Sequence, residues 1–452
     1  MRAWMLFCVI VFLPFPALGQ DTRNVSEPVI PPTCVVLKAR LTPAIDGALA
    51  ESDESKVDTE RIQKALDACP SGQAVELQRA GVARAFLSGP LQLRAGVTLR
   101  IDAETTLFGS RRARDYDVSS GSCGRVAERG DGCKPLIRAD HVANAAVMGE
   151  GVIDGRGGAR LAGEKVSWWD LAQEAKVKNL YQNCPRIMVL TAADNFTLYR
   201  VTLKNSPNFH VSYRGGNGFT AWGVIIDTPK NARNTDGIDP ANATNVTITH
   251  CYIHAGDDQV AIKANRLGPS SHISVTHNHF YTGHGISIGS DTDGGVRAVR
   301  VADLSIDGAD NGIRIKSNSS RGGLVHDVVY EDVCIRDTKN PILMDSNYSF
   351  YGQERDRLPS FTDIILRNVR VFGPGQITLD GFDSTHRLGI TFDRVLVDAP
   401  ERTRVAADFA DVTLGPGPVN FFPTGKDVRV VGKAARGNPA SCKEMFVPMP
   451  GK

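Results

Sequence analysis

The sequence predicts an all-β chain wound as a parallel solenoid, and three observations carry that prediction. A short apolar motif recurs as Val260-Ala-Ile-Lys263, Ile286-Ser-Ile-Gly289, Ile313-Arg-Ile-Lys316, Ile342-Leu-Met-Asp345 and Ile377-Thr-Leu-Asp380, with starts 26, 27, 29 and 35 residues apart. A second strand-like run precedes most copies, as in Val246-Thr-Ile-Thr249, Ile273-Ser-Val-Thr276, Val299-Arg-Val301 and Val328-Val-Tyr-Glu331. The composition agrees, since 44 Gly against 7 Met and 4 Trp in 452 residues speaks for many turns and little helix. Units of this length, each with an apolar side it cannot bury alone, gain stability by stacking on their neighbours. A propeller blade would need four strands and about 40 residues. Because each coil touches only the coils beside it, residues 20–452 read as one domain.

One helix is expected near the start. Ile62, Ala65, Leu66 and Cys69 fall at i, i+3, i+4 and i+7, with Asp58 or Thr59 as cap and Pro70 after. Its apolar face would cover the open end of the stack. The first residues have a different character: Met1-Arg2, an apolar run from Ala3 to Leu13, then Ala17-Leu18-Gly19. That order reads as a secretory signal over residues 1–19, cleaved after Gly19. No later segment approaches the ~20 apolar residues of a membrane helix, so no membrane association is expected. A net charge of +2 likewise gives no support to nucleic-acid binding.

Export permits disulfides. Past the signal stand Cys34, Cys69, Cys123, Cys133, Cys184, Cys251, Cys334 and Cys442, with no Cys-x-x-Cys to suggest zinc. Cys123 and Cys133 flank a Gly-rich loop and form the most plausible local pair. Cys251 and Cys334, in apolar runs, read as buried thiols. The remaining connectivity stays open.

Aligning the repeats places polar residues in columns. Asp236 stands two residues before Ile238, Asp258 two before Val260 and His284 two before Ile286. Coils are separated by about 4.8 Å, so these three side chains should form a ladder on one face. Arg314 and Lys316 flank Ile315 and point out of the core. Asp257 and Asp258 are adjacent, and Gly256 permits a corner that turns both toward one cleft. Crowded carboxylates separate their pKa values, leaving one protonated near neutrality while others stay ionised. Hydrolysis of a glycosidic bond requires that pairing of a proton donor with a carboxylate that activates water. Each motif alone is an ordinary turn, loop or strand edge; their common register is what argues for a site.

These motifs resemble those of the polygalacturonases, the pectin-degrading glycoside hydrolases of family 28. The matching residues are Asn234-Thr235-Asp236, Gly256-Asp257-Asp258, Gly283-His284-Gly285 and Arg314-Ile315-Lys316, in the family's order. Val166-Ser-Trp-Trp169, Ser206-Pro-Asn-Phe-His210 and Ala232-Arg-Asn-Thr-Asp-Gly-Ile-Asp239 are similar to stretches of endo-acting enzymes secreted by plant-pathogenic bacteria. The resemblance implies a right-handed, single-stranded parallel β-helix and inverting, endo-acting hydrolysis of α-1,4 bonds in polygalacturonate. By the same resemblance Asp257 is the general acid, Asp236 and Asp258 hold and activate water, and His284 tunes their protonation. Asn234, Arg314, Lys316 and Tyr348 would contact substrate. The family pattern also implies disulfides Cys34–Cys69 and Cys123–Cys133. The partner is polygalacturonate or pectate, with a monomer expected and no metal or other cofactor. Trp168-Trp169 would either stack on sugar or pack at the end of a helix, and His277 and His279 are near enough in sequence to be weighed as metal ligands.

Rival readings make different demands. A pectate lyase would need calcium held by carboxylates and a base for proton abstraction. A non-catalytic polysaccharide-binding solenoid would need only the groove. An exo-acting enzyme would close one end of the cleft with added loops, and no such insertion is evident.

Overall fold

The structure, a computed structural model, describes residues 20–45, 47–348, 356–438 and 441–451. The expected export signal, residues 1–19, lies outside them. Strands dominate, and nearly every pairing between them is parallel. The chain is an all-β parallel β-helix.

The repeat seen in the sequence is the register of one face. Ile238 pairs with Val260, Val260 with Ile286, Ile286 with Ile313, Ile313 with Ile342 and Ile342 with Ile377. These residues belong to an unbroken run of eleven strands from Leu91–Gln92 to Arg404–Asp408, which forms one face of the stack. The second strand family is equally in step: Val246, Ile273, Val299, Val328 and Ile364 are successive partners. Long strands such as Ser270–Phe280, Val296–Asp307 and Leu324–Arg336 turn corners without breaking. The corners fall at left-handed residues, among them His277, Asp303 and Asp332, with φ between 51° and 56°. Asp, Asn and His tolerate that conformation better than other side chains. Inward aliphatics build one contiguous apolar core that runs from Ala39 to Phe421.

The expected helix forms as α1, Thr59–Ala68, with Cys69 as its extended C-cap. Ile62 and Leu66 join the core, and the Cys34–Cys69 disulfide ties the helix end to the first strand, Thr33–Lys38. A second helix, α2 (Trp168–Lys178), was not expected. Its signal was nonetheless present. Trp168, Leu171, Ala172 and Ala175 are buried at i, i+3, i+4 and i+7, and Ser167 with Asp170 makes a reciprocal capping box. Both tryptophans pack against the protein. Trp168 is fully buried edge-on to Tyr116, and Trp169 Nε1 donates to the Ser206 carbonyl at 2.9 Å.

Cys123–Cys133 is bridged as expected. Cys334 corrects the reading as a buried thiol: it is bonded to Cys442, 108 residues later. The C-terminal segment returns across the stack, where Tyr281 donates to the Val447 carbonyl at 3.1 Å and Phe372 meets Phe446. Local patterning carries no trace of so distant a partner. Cys184 and Cys251 are free and buried.

Candidate active site

A groove of about 720 Å³ runs along the face built by these eleven strands. Asp236, Asp257, Asp258, His284, Lys316 and Tyr348 line it, so five successive coils contribute. The ladder expected from the sequence is present. Gly256 supplies the corner through space rather than through an unusual backbone angle, since a Cβ there would lie 2.0 Å from the Ala232 carbonyl oxygen. Both Asp257 and Asp258 consequently reach the groove.

The three acids have different surroundings. Asp258 is buried and held by three donors: Arg314, Lys316 at 2.9 Å and the Ser287 hydroxyl at 2.9 Å. Burial alone would raise its pKa, but the charges of Arg314 and Lys316 outweigh burial and keep it below the ordinary carboxylate value. Asp257 Oδ1 faces His284 Nδ1 at 2.9 Å and accepts from the Asp258 amide at 3.0 Å. Burial again pushes upward, and the hydrogen bond and charge of His284, with Lys316 and Arg314 behind, bring Asp257 well below the usual range. The same bond raises His284 above its ordinary 6.5 in spite of burial. His284 Nε2 also lies 3.8 Å from Asp310, which pairs with Lys230 at 2.8 Å. Asp236 goes the other way. Burial, then the charges of Asp239 and Asp257, lift it well above the carboxylate range, and its Oδ1 has no hydrogen-bond partner.

The pKa values separate as expected, but the raised group is Asp236, expected to activate water, while Asp257, expected to be the acid, is lowered. The physical reason is placement of cations. Asp257 and Asp258 sit beside His284, Arg314 and Lys316, whereas Asp236 reaches only Lys263 Nζ at 3.4 Å.

Of the expected substrate contacts, Lys316 and Tyr348 meet each other, with Nζ 5.4 Å from the ring centroid. Asn234, at φ 56°, lines the groove and accepts from Gln182 Nε2 at 3.1 Å. Arg314 is buried below the groove surface, where it donates to Ser287 at 2.8 Å and to Asp258. His277 pairs with Asp303, while His279 faces Ser305 and the Met445 carbonyl, so the two imidazoles do not converge.

Lys263 was missed. Its ammonium contacts Asp239 Oδ2 at 2.5 Å and Asp236 Oδ2 at 3.4 Å, and burial notwithstanding these two acids raise its pKa. A signal existed: Lys263 and Lys316 each stand three residues after an aligned aliphatic, on either side of Gly289. Ligand atoms of Asp257, Asp258 and His284 lie within 4.8 Å of one another. That trio suits calcium poorly, because calcium prefers oxygen ligands and Asp258 already answers two cations.

The model of the Glycosyl hydrolases family 28 matches residues 69–408. The chain is 44 % identical over 380 residues to an endo-polygalacturonase of Pectobacterium carotovorum subsp. carotovorum, covering 84 % of this chain and 90 % of that one. It is 38 % identical to a polygalacturonase of Ralstonia nicotianae, covering 94 % and 92 %. Among solved structures it resembles the polygalacturonase from Erwinia carotovora ssp. carotovora, with a TM-score of 0.77 at 40 % identity, covering 91 % of this chain and 100 % of that one. A parallel β-helix with this acid ladder and a match of this extent place the chain in glycosyl hydrolases family 28.

Proposed function

We propose that this glycoside hydrolase is an endo-polygalacturonase that cuts α-1,4 bonds within polygalacturonate and inverts the anomeric centre. The observation that carries the reading is the groove itself, with three carboxylates and a histidine at its centre and cations on both sides, matched to an anionic polymer. The reading extends to export through residues 1–19, to one domain over residues 20–452 acting as a monomer, and to polygalacturonate or pectate as the partner. The main apolar core, contiguous from Ala39 to Phe421, supports the undivided domain.

In this mechanism Asp258 is a fixed anion that orients water, since three donors hold its oxygens. Asp236, raised in pKa and with a bare Oδ1, is the stronger base once ionised and takes the water proton. Asp257 delivers a proton to the leaving oxygen. Asp257 and His284 Nδ1, 2.9 Å apart and shifted in opposite directions by their contact, share that proton as a pair. A galacturonate carboxylate arriving at Lys316 offsets one of the charges that depress Asp257, which favours transfer to its carboxyl. Lys316 and Tyr348 bind that sugar, Asn234 contacts the substrate from the rung of Asp236, and Arg314 acts from below by fixing Asp258.

The test is incubation with polygalacturonate, reading viscosity and reducing ends together. A rapid viscosity drop with few new ends is expected. Monomer as sole product would indicate exo action, and binding without new ends a non-catalytic solenoid. An unsaturated, ultraviolet-absorbing product lost on chelation would indicate elimination.

A further inference from the structure

The register that aligns Asp236, Asp258 and His284 continues toward the N-terminus. Met188 pairs with Val211, and Val211 with Ile238. The positions two residues ahead of Met188 and Val211 are Arg186 and Phe209. They occupy the same column as the acids, one and two coils earlier, and both line the groove. At about 4.8 Å per coil, Arg186 stands roughly 10 Å from Asp236 along the stack. Its guanidinium carbon lies 5.0 Å from the Phe209 ring centroid, and Lys263 Nζ lies 4.5 Å from the same centroid.

The guanidinium is conspicuous for what it lacks. Among the described residues no carboxylate forms an ion pair with Arg186, and its Nε, shut off from solvent, has no acceptor. Burial, followed by the like charge of Arg214, brings its pKa down to about 10, against a weaker pull from Asp239 and Asp236. Arg314 and Lys316, by contrast, both answer Asp258. A half-buried arginine without an anion is a destabilising arrangement unless an anion is supplied from outside. Its planar fork suits a carboxylate better than a point charge would. A pyranose ring with its linking oxygen advances by a step comparable to one coil, so a chain lying in the groove brings successive carboxylates past successive rungs.

Resting on the reading of the groove as a polygalacturonate site, we propose that Arg186 binds the carboxylate of a galacturonate unit about two coil steps from the acids, with the sugar against Phe209. Lys316 rises from the rung on the other side of the acid ladder and reaches back to Asp258. A chain gripped at both points is held across the scissile bond, which favours internal cleavage of longer substrates.

Hydrolysis of polygalacturonate and of a graded series of oligogalacturonates by wild type, Arg186→Met and Arg186→Lys tests this, with the melting temperature of each. Arg186→Met is expected to raise KM for the polymer roughly tenfold or more, with a smaller change in kcat. The penalty should fade as the oligomer becomes too short to reach Arg186, and Arg186→Lys should recover part of the loss. The melting temperature should not fall, because methionine replaces an unpaired cation with a stem of similar length. An unchanged polymer KM, an equal loss at every chain length, or a drop in melting temperature that parallels the loss of activity would each overturn the proposal. Wild type that releases no reducing ends from polygalacturonate would instead overturn the functional reading beneath it.

Discussion

Two acid ladders stand on the same sheet of this β-helix, and only one of them is a candidate catalytic site. Asp236 and Asp258 lie on consecutive coils; Asp345, Asp380 and Asp408 are also direct register partners, farther along the stack. In the first ladder, cations are interleaved with the acids: Lys263 beside Asp236, Arg314 and Lys316 on Asp258, and His284 on Asp257. In the second, among the described residues, no ion pair joins any of the three acids to a cation. Burial and then the charges of Asp408 and Asp345 lift Asp380 to about 6. Stacked acids alone are thus tolerated by partial protonation. A working site differs because fixed cations hold some acids ionised while a neighbour is pushed upward, which assigns opposite protonation states within one groove.

The comparison breaks first at Asp257. Asp257→Asn removes the proton donor and preserves shape, so kcat is expected to fall about 10³-fold, with oligogalacturonate binding by calorimetry largely retained. Ordinary turnover in this variant would remove Asp257 from the mechanism. Next in size is Lys263→Met, which leaves Asp236 and Asp239 buried without a counter-ion. Denaturant unfolding should register a loss of about 3 kcal/mol. A stability equal to wild type would show that the cation is not what lets these acids coexist.

The pH profile sharpens the contrast further. Its acidic limb should follow ionisation of Asp236 and lie well above the ordinary 3.8, because that carboxyl must lose its proton to act as base. Its basic limb should follow loss of the proton shared by Asp257 and His284 and lie above 6.5. In His284→Ala the basic limb should move to lower pH, since Asp257 then titrates without its partner. An unmoved limb would detach His284 from the proton donor.

The smallest effect belongs to the second ladder. The folded pKa of Asp380 is raised, so its protonated form stabilises the fold at low pH, and that contribution is lost as pH rises through about 6. Asp380→Asn should therefore raise the melting temperature slightly above pH 6, make no difference well below it, and leave activity intact.

Most of the fold was legible because a β-helix writes its register into the sequence: aliphatics that align by spacing are the ones that pair. The acid ladder followed from the same alignment. Other features escaped for identifiable reasons. The α2 pattern lay within a stretch read as a motif, although Trp168, Leu171, Ala172 and Ala175 had the spacing already used for α1. Cys334–Cys442 depends on a tail that returns from 108 residues away. Lys263 closes the first copy of the repeat and needed comparison with Lys316 two rungs on, whereas Arg186 required carrying the column past the motifs, to a rung where the residue type changes. The stacking of acids was itself weaker evidence than it looked, because Asp345 and Asp380 were aligned in the sequence too.

The account stands or falls most directly on the configuration of the sugar released at each cut, observed by proton magnetic resonance in the first moments of polygalacturonate digestion. Newly formed β reducing ends on a range of oligomer lengths are expected, because water attacks opposite the leaving α-linked oxygen. Reducing ends that first appear as α would contradict an acid and a base working from opposite faces of the ring.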